Sequence, residues 1–379
     1  MYGLVIIIPF YFEEQRPGEG TFWTSFFFTA GYAGMIIGDI VMAYCCKRFQ
    51  PSTVLLVVVL GGMLAYAGQG FVPDPQWICI LRGVSAFLTT GVPTNVYVMT
   101  AFKNEEVVEF FNLIPGLSYV AEMAVPGIIT PAYIVPDIGW RYCVVFLAAL
   151  ALPAIAIWIV VRRQMRREYL GWLQKNKKQM QLKTSSHGCS LNGLDKAVQL
   201  GYLRCLAGRI IFIFFKHFNS IVPPLHMAVH LNMSITTIGL IVTARGFFNA
   251  VVALARIHPI IIGLTGTKRA GMLALAGLAA SLAVGAIPQV LDSYLFVIGL
   301  PFVNFFAMLY FLSMQSTMHE IAERLPSSAS IMIGVNEMTA GLAVLSSAPL
   351  AGVVAGNIPA VSVTTWGCWA LVCALLVST

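Results

Sequence analysis

The sequence predicts an all-α membrane protein: two bundles of six transmembrane helices, related by a pseudo-twofold axis, with the first helix incomplete. Three observations predict it. Of 379 residues, 58% are hydrophobic and only 10% charged, with a mean hydropathy of +0.81. A soluble domain carries roughly 25% charged residues, so most of this surface has to face lipid. Apolar runs of about 20 residues, the length that crosses a bilayer, recur along the chain, and one basic stretch divides them six and six.

Residues 2–12 are apolar but too few to span, and they lack the basic start and cleavage site of a signal peptide. They read as the outer half of a first helix whose beginning is absent from this chain. Residues 13–20 form a polar loop. Spans two to six are expected at 22–44, 53–71, 77–100, 112–134 and 142–161. Spans seven to twelve follow at 203–225, 236–262, 270–290, 294–314, 328–350 and 361–379. The expected domains are therefore a first bundle at 1–161, a basic linker at 162–202 and a second bundle at 203–379. Within the spans, Gly34-x-x-x-Gly38 suits close helix approach, and His258-Pro259 predicts a kink late in the eighth.

Charge sets an orientation. If the first helix runs outward, the inner loops hold Lys47, Arg48, Lys103, ten Lys and Arg from Arg162 to Arg204, Lys268, Arg269 and Arg324, against Arg16 and Arg141 outside. That is the positive-inside pattern, with the linker cytoplasmic. The linker reads as a basic amphipathic segment at the inner membrane surface, joining two bundles. The net charge of +7 is explained by this pattern, with no nucleic-acid partner needed. Eight scattered cysteines show neither metal spacing nor a disulfide framework.

The halves repeat. The fifth span reads SYVAEMAVPG and the eleventh IGVNEMTAGL, so Glu122-Met123 and Glu337-Met338 occupy equivalent places. Lys47-Arg48 and Lys268-Arg269 likewise follow equivalent spans. Several local patterns then resemble the major facilitator superfamily, over essentially the whole chain. The loop after the second span, Ala43-Tyr44-Cys45-Cys46-Lys47-Arg48-Phe49-Gln50-Pro51-Ser52, stands where the family has G-x-L-A-D-R-x-G-R-K; Arg48 matches, the glycines and aspartate do not. Leu81-Arg82-Gly83 is similar to the intramembrane R-x-x-x-G pattern. Pro126-Gly127 falls where drug antiporters have G-P-x-x-G-G, and Gly139-Trp140-Arg141 looks like the G-W-R that opens the sixth helix. The resemblance implies a transporter working by alternating access, possessing features of a drug/proton antiporter, with Arg48, Pro126 and Gly127 in gating.

Ionisable side chains inside a bilayer cost roughly 2.5–3.5 kcal/mol each, which makes them functional candidates. Glu122 and Glu337 lead for proton coupling, because burial in a low dielectric favours the neutral form of a carboxyl group. Asp39 and His217 are further coupling candidates, and an unperturbed histidine titrates near pH 6.5. Arg82, Arg245 and Lys216 are candidates for binding the solute. His226 and His230 share a face if helical but have no third ligand, so no metal site is expected. No nucleophile–base set and no phosphate-cradling glycine loop is present, which speaks against an enzyme and against pumping by ATP.

The sequence thus predicts a secondary active transporter of a small organic solute, embedded in lipid and functional as a monomer. It needs no cofactor, and a proton gradient supplies the energy. A facilitative uniporter for a sugar or organic anion, and a non-transporting sensor with the same fold, are the alternatives.

Overall fold

The computed structural model describes residues 8, 11–102, 106–114, 116–117, 120, 139–153, 155–157, 159–160, 167, 171, 196–229, 231–233, 235–324, 329–354 and 358–378. Among these residues the secondary structure is helical. The helices are α1 (Gly20–Arg48), α2 (Pro51–Gly68), α3 (Pro75–Phe87), α4 (Gly91–Ala101) and α5 (Gly139–Ala149). They continue as α6 (Lys196–Val229), α7 (Ile235–Leu254), α8 (Ile257–Thr265), α9 (Thr267–Gly285) and α10 (Pro288–Leu291). The last three are α11 (Leu295–Arg324), α12 (Ala329–Val354) and α13 (Ile358–Ser378). Six of the described helical stretches are long and apolar enough to cross a membrane, or seven if the bent pair α7–α8 counts as one span. The chain is an integral, multi-pass membrane protein.

Among the described residues three of the expected single spans are broken: the ninth gives way near its end, between α9 and α10, and proline explains the positions of the other two. The fourth is two helices, α3 and α4, with Leu88-Thr89-Thr90 between them. Pro93 has no N–H, and its ring clashes with the carbonyl four residues back, that of Thr89. The break puts Pro93 in the first turn of α4, where a missing donor costs nothing. The eighth span bends by 47° between α7 and α8. The kink expected at His258-Pro259 falls at Ala255-Arg256, because the clash of Pro259 is again with residue i−4, Ala255. Arg256 takes up the bend with a left-handed backbone, φ 57° and ψ 29°.

The chain forms two compact units. The first contains residues 1–104, 127–202 and 318–342; the second contains 105–126, 203–317 and 343–379. The boundary passes within α11 and within α12, so each unit is assembled from both sequence halves.

In the first unit, α1 and α3 meet backbone to backbone. A Cβ on Gly34 would strike the carbonyl of Gly83, and one on Gly38 would strike that of Phe87. Gly34-x-x-x-Gly38 therefore does what its spacing predicts. The open end of α2 is closed by Gly139-Trp140-Arg141: Trp140 Nε1 donates to the Gln69 carbonyl at 3.1 Å, and Arg141 Nε to that of Gly70 at 3.3 Å. Arg141 also lies over the Phe71 ring, 5.4 Å from its centroid. A cation here favours the negative pole of α2 while satisfying carbonyls that have no helical donor.

Overpacking a tight contact costs about 1–3 kcal/mol. Gly34→Ala is expected to lower unfolding stability by that amount in detergent micelles. Gly263→Ala in α8, where an added Cβ meets nothing within 4 Å, is expected to be neutral or slightly stabilising. Equal effects of the two substitutions on the thermal midpoint would refute the close-approach account.

Candidate functional site

The broken fourth span gathers a buried polar group in the first unit. Breaking the helix creates a new N-terminus at Gly91, with free N–H groups and the positive end of a helix dipole. Gly91 N donates to Thr89 Oγ1 at 3.3 Å, and Thr94 N closes the first turn onto the Thr90 carbonyl. Glu337, on α12, stands against this end. Asn95 Nδ2, one turn into α4, donates to Glu337 Oε1 at 2.7 Å. Oε2 lies beside Gly91, where an added Cβ would sit only 3.4 Å away. Glu337 is 7% exposed and Asn95 equally enclosed. The arrangement accommodates a carboxylate in a place with almost no water. Gly334 and Gly341, one turn either side of Glu337, bring α12 against Asp39, Ala43 and Ile36 of α1. Asp39 is buried in this contact. His319, near the end of α11, donates from Nδ1 to the Met99 carbonyl of α4 at 3.1 Å, and its Nε2 faces Glu323 at 3.4 Å.

The other sequence candidates are distributed more widely. Arg82, on α3, is 4% exposed, with its guanidinium over the Phe27 ring. Arg48 ends α1 and is exposed. Arg245 is half-buried on α7 in the second unit. Lys216 and His217 are positions on α6 whose side chains lie outside the described residues, as do Glu122, Pro126 and Gly127 altogether. The equivalence of Glu122 and Glu337 is thus a sequence observation. His226 has its Nε2 on the Leu291 carbonyl at 2.8 Å. Among the described residues no three His, Cys, Asp or Glu side chains converge as a metal site.

A second polar group, not singled out as a site by the sequence, holds the bend in the second unit. Residues 109, 112 and 116 lie on one helical face by their spacing. Glu109 pairs with Arg256, the left-handed residue at the bend. Asn112 Nδ2 donates to the Ala253 carbonyl at 2.6 Å. Gly116 lets Ala253 close, 2.9 Å from where a Cβ would stand. His258 is buried between Asn112 Oδ1 at 3.4 Å and the Phe305 carbonyl at 3.1 Å. Asparagines gave no signal in the sequence, since an uncharged amide stands out only once its partner is known.

The second unit also has a small cleft of about 70 Å³ between α6, α9, α10, α11 and α13. Its hydroxyls, Ser281 and Thr365, both donate to carbonyls of their own helices. Apart from these and Cys368, its described lining side chains are apolar or absent.

No protein-family model matches this chain, and no curated protein does. Solved structures do. The human organic anion transporter MFSD10 (TETRAN) is 14% identical, with 99% of this chain and 95% of that one covered at a TM-score of 0.72. The proton:xylose symporter XylE, a major facilitator superfamily protein bound to 6-bromo-6-deoxy-D-glucose, is 15% identical over 99% and 90% at 0.72. A bacterial homologue of the iron transporter ferroportin, in an outward-facing state, is 14% identical over 100% and 94% at 0.65. The chain has the major facilitator fold, as its sequence patterns implied.

Two substitutions on one helical face test the geometry at the bend. Asn112→Ala leaves a buried carbonyl and a buried imidazole short of a partner, at a cost of about 1–3 kcal/mol. Glu109→Gln breaks a pair whose side chains are 49% and 60% exposed, and surface pairs contribute about 0–1 kcal/mol. Denaturant unfolding in mixed micelles is expected to rank them in that order; the reverse ranking would show that the exposed pair, not the buried amide, holds the bend.

Proposed function

We propose that a chain with this fold is a secondary transporter that moves a small organic solute by alternating access and couples that movement to protons at Glu337. The observation that carries the reading is a carboxyl group, 7% exposed, held between the Asn95 amide and the N-terminal end of α4. Discontinuous helices are where transporters of several folds bind solutes and coupling ions. The structural neighbours include a proton-coupled symporter and an organic anion transporter.

In this proposal a proton on Glu337 removes the charge that favours the helix end, and so biases the contact of α12 with α1 and α4. Asp39 supports the same contact from α1. Glu122 has the corresponding role in the fifth span, and His217 is a further proton acceptor. Arg82, Arg245 and Lys216 supply positive charge to the solute path. Arg48, Pro126 and Gly127 belong to the gating elements. The 162–202 stretch is cytoplasmic, following the positive-inside rule, and the protein acts as a monomer. An antiporter is preferred because of the Pro126 pattern. A uniporter for a sugar or organic anion is the second reading, favoured by the burial of Arg82 away from Glu337; there the carboxyl group only joins helices.

Proteoliposome flux measurements distinguish these. With a pH gradient imposed, wild-type protein is expected to accumulate a solute from a panel of organic anions, organic cations and sugars above equilibrium. Glu337→Gln is expected to lose accumulation at least tenfold while counterflow exchange continues. Undiminished accumulation by Glu337→Gln would remove proton coupling from this residue, and a wild-type protein that moves nothing in the panel would overturn the transporter reading.

A further inference from the structure

The small cleft of the second unit plays no part in the proposed coupling. It lies where α9 ends and α11 and α13 begin, and it holds about 70 Å³. Gly285 on α9 and Gly299 on α11 line it. A Cβ added at either glycine would meet nothing within 4 Å. Side chains missing at these two positions leave the space open. Val361 and Cys368, two turns apart on α13, form its buried wall. The cleft therefore runs about 10 Å along that helix.

Its chemistry disfavours a polar occupant. Ser281 Oγ donates to the Gly277 carbonyl at 2.8 Å, and Thr365 Oγ1 to that of Val361 at 2.7 Å. Each hydroxyl has one proton, and that proton is engaged on its own helix. No charged side chain is among the described lining residues. A polar solute would give up water here with no side-chain donor but the Cys368 thiol to replace it. The rim is apolar and open: Val284 and Leu295 line the cleft and are exposed. Ile298 and Phe302, one and two turns on from Leu295 along the same face of α11, are exposed as well. In a membrane protein a surface of this kind faces hydrocarbon.

From this we infer that the cleft is a docking site for an acyl chain of a bilayer phospholipid. An apolar void left empty destabilises a fold in proportion to its volume. Here the opening is continuous with the surface that lipid chains already cover, and its long direction follows a membrane helix, as those chains do. A water molecule's share of liquid volume is about 30 Å³, and a methylene group is of similar size. The cleft thus takes about two or three methylene groups, a bend or an end of one chain, with the head group outside it. An occupied cleft joins α9, α11 and α13 through the chain, so the packing of this end of the second unit depends on the lipid supplied. The site is independent of the transport proposal, because it involves neither Glu337 nor flux.

The test uses the full-length protein in phosphatidylcholine proteoliposomes containing a trace of phosphatidylcholine with a diazirine on one acyl chain. Light converts the diazirine to a carbene that inserts into the atoms it touches, and peptide mass spectrometry locates the label. A chain that enters the cleft is expected to label Val303 and Cys368, which are buried lining residues. A chain that only wets the surface labels exposed positions such as Val363. Gly299→Leu fills the cleft from α11 and is expected to cut the Cys368 label about fivefold or more, since two occupants cannot share one close-packed volume. The Val363 label is expected to stay unchanged. Gly285→Leu fills the cleft from α9 with the same expected result, so one variant decides if the other does not fold. Both exchange a helical glycine for a better helix former and are expected to keep the wild-type thermal midpoint or raise it. Labels confined to exposed positions, or a Cys368 label undiminished by either folded variant, would overturn the site. Labelled Cys368 in a protein that moves nothing in the solute panel would remove the transport proposal and leave this site standing.

Discussion

Backbone groups surrounded by hydrocarbon have to be satisfied by the protein itself, and this constraint organises the structure. A continuous helix meets it automatically. Wherever the chain interrupts a helix inside the membrane, other side chains have to converge on the interruption. Two such places among the described residues are Leu88–Thr90 and Ala255-Arg256, each four residues before a proline. At the first, Glu337 and Asn95 gather at a newly made helix end. At the second, Asn112 and His258 hold the carbonyls of Ala253 and Phe305. At both breaks the polar groups come from other helices as well as from the broken one.

Small residues decide which helices come close enough to matter. Gly34 and Gly38 set α1 directly against α3, and Gly334 and Gly341 set α12 against α1. These contacts bring a carboxylate from position 337 to an amide at position 95, 242 residues away in sequence. The spacing Gly334, Glu337, Gly341 recurs as Glu109, Asn112, Gly116: in each, one face of one helix reads a broken helix through a polar group flanked by a glycine one turn later. The first motif works inside one compact unit and the second inside the other.

Much of the fold was legible because hydropathy reports lipid contact directly. The apolar runs, the Gly34–Gly38 approach and the Gly139-Trp140-Arg141 closure all have local signals. The kink at Pro259 was legible in kind but displaced by three residues, since proline disturbs the carbonyl four positions back and not its own. The break in the fourth span was missed, because Pro93 lies within a run free of charged residues from Gly83 to Phe102, and such a run reads as one helix. Glu337 was conspicuous as a charge; its partner Asn95, His319 on the Met99 carbonyl, and Asn112 in the other unit were not, because their roles exist only through contacts between distant segments. The arginine at position 82 was found, yet its place over the Phe27 ring is a property of packing that spacing does not reveal.

α6 and α11 are the two longest of the described helices, and both exceed what a bilayer requires. At about 1.5 Å per residue, α6 with 34 residues and α11 with 30 run about 51 and 45 Å, against a hydrocarbon core of about 30 Å. Each has to tilt steeply or project into water by more than a turn. The far end of α11, with Glu320, Glu323 and Arg324, is suited to projecting. A spectroscopic probe attached at that end reports on the last turns of α11, which belong to the first unit, without entering its interior.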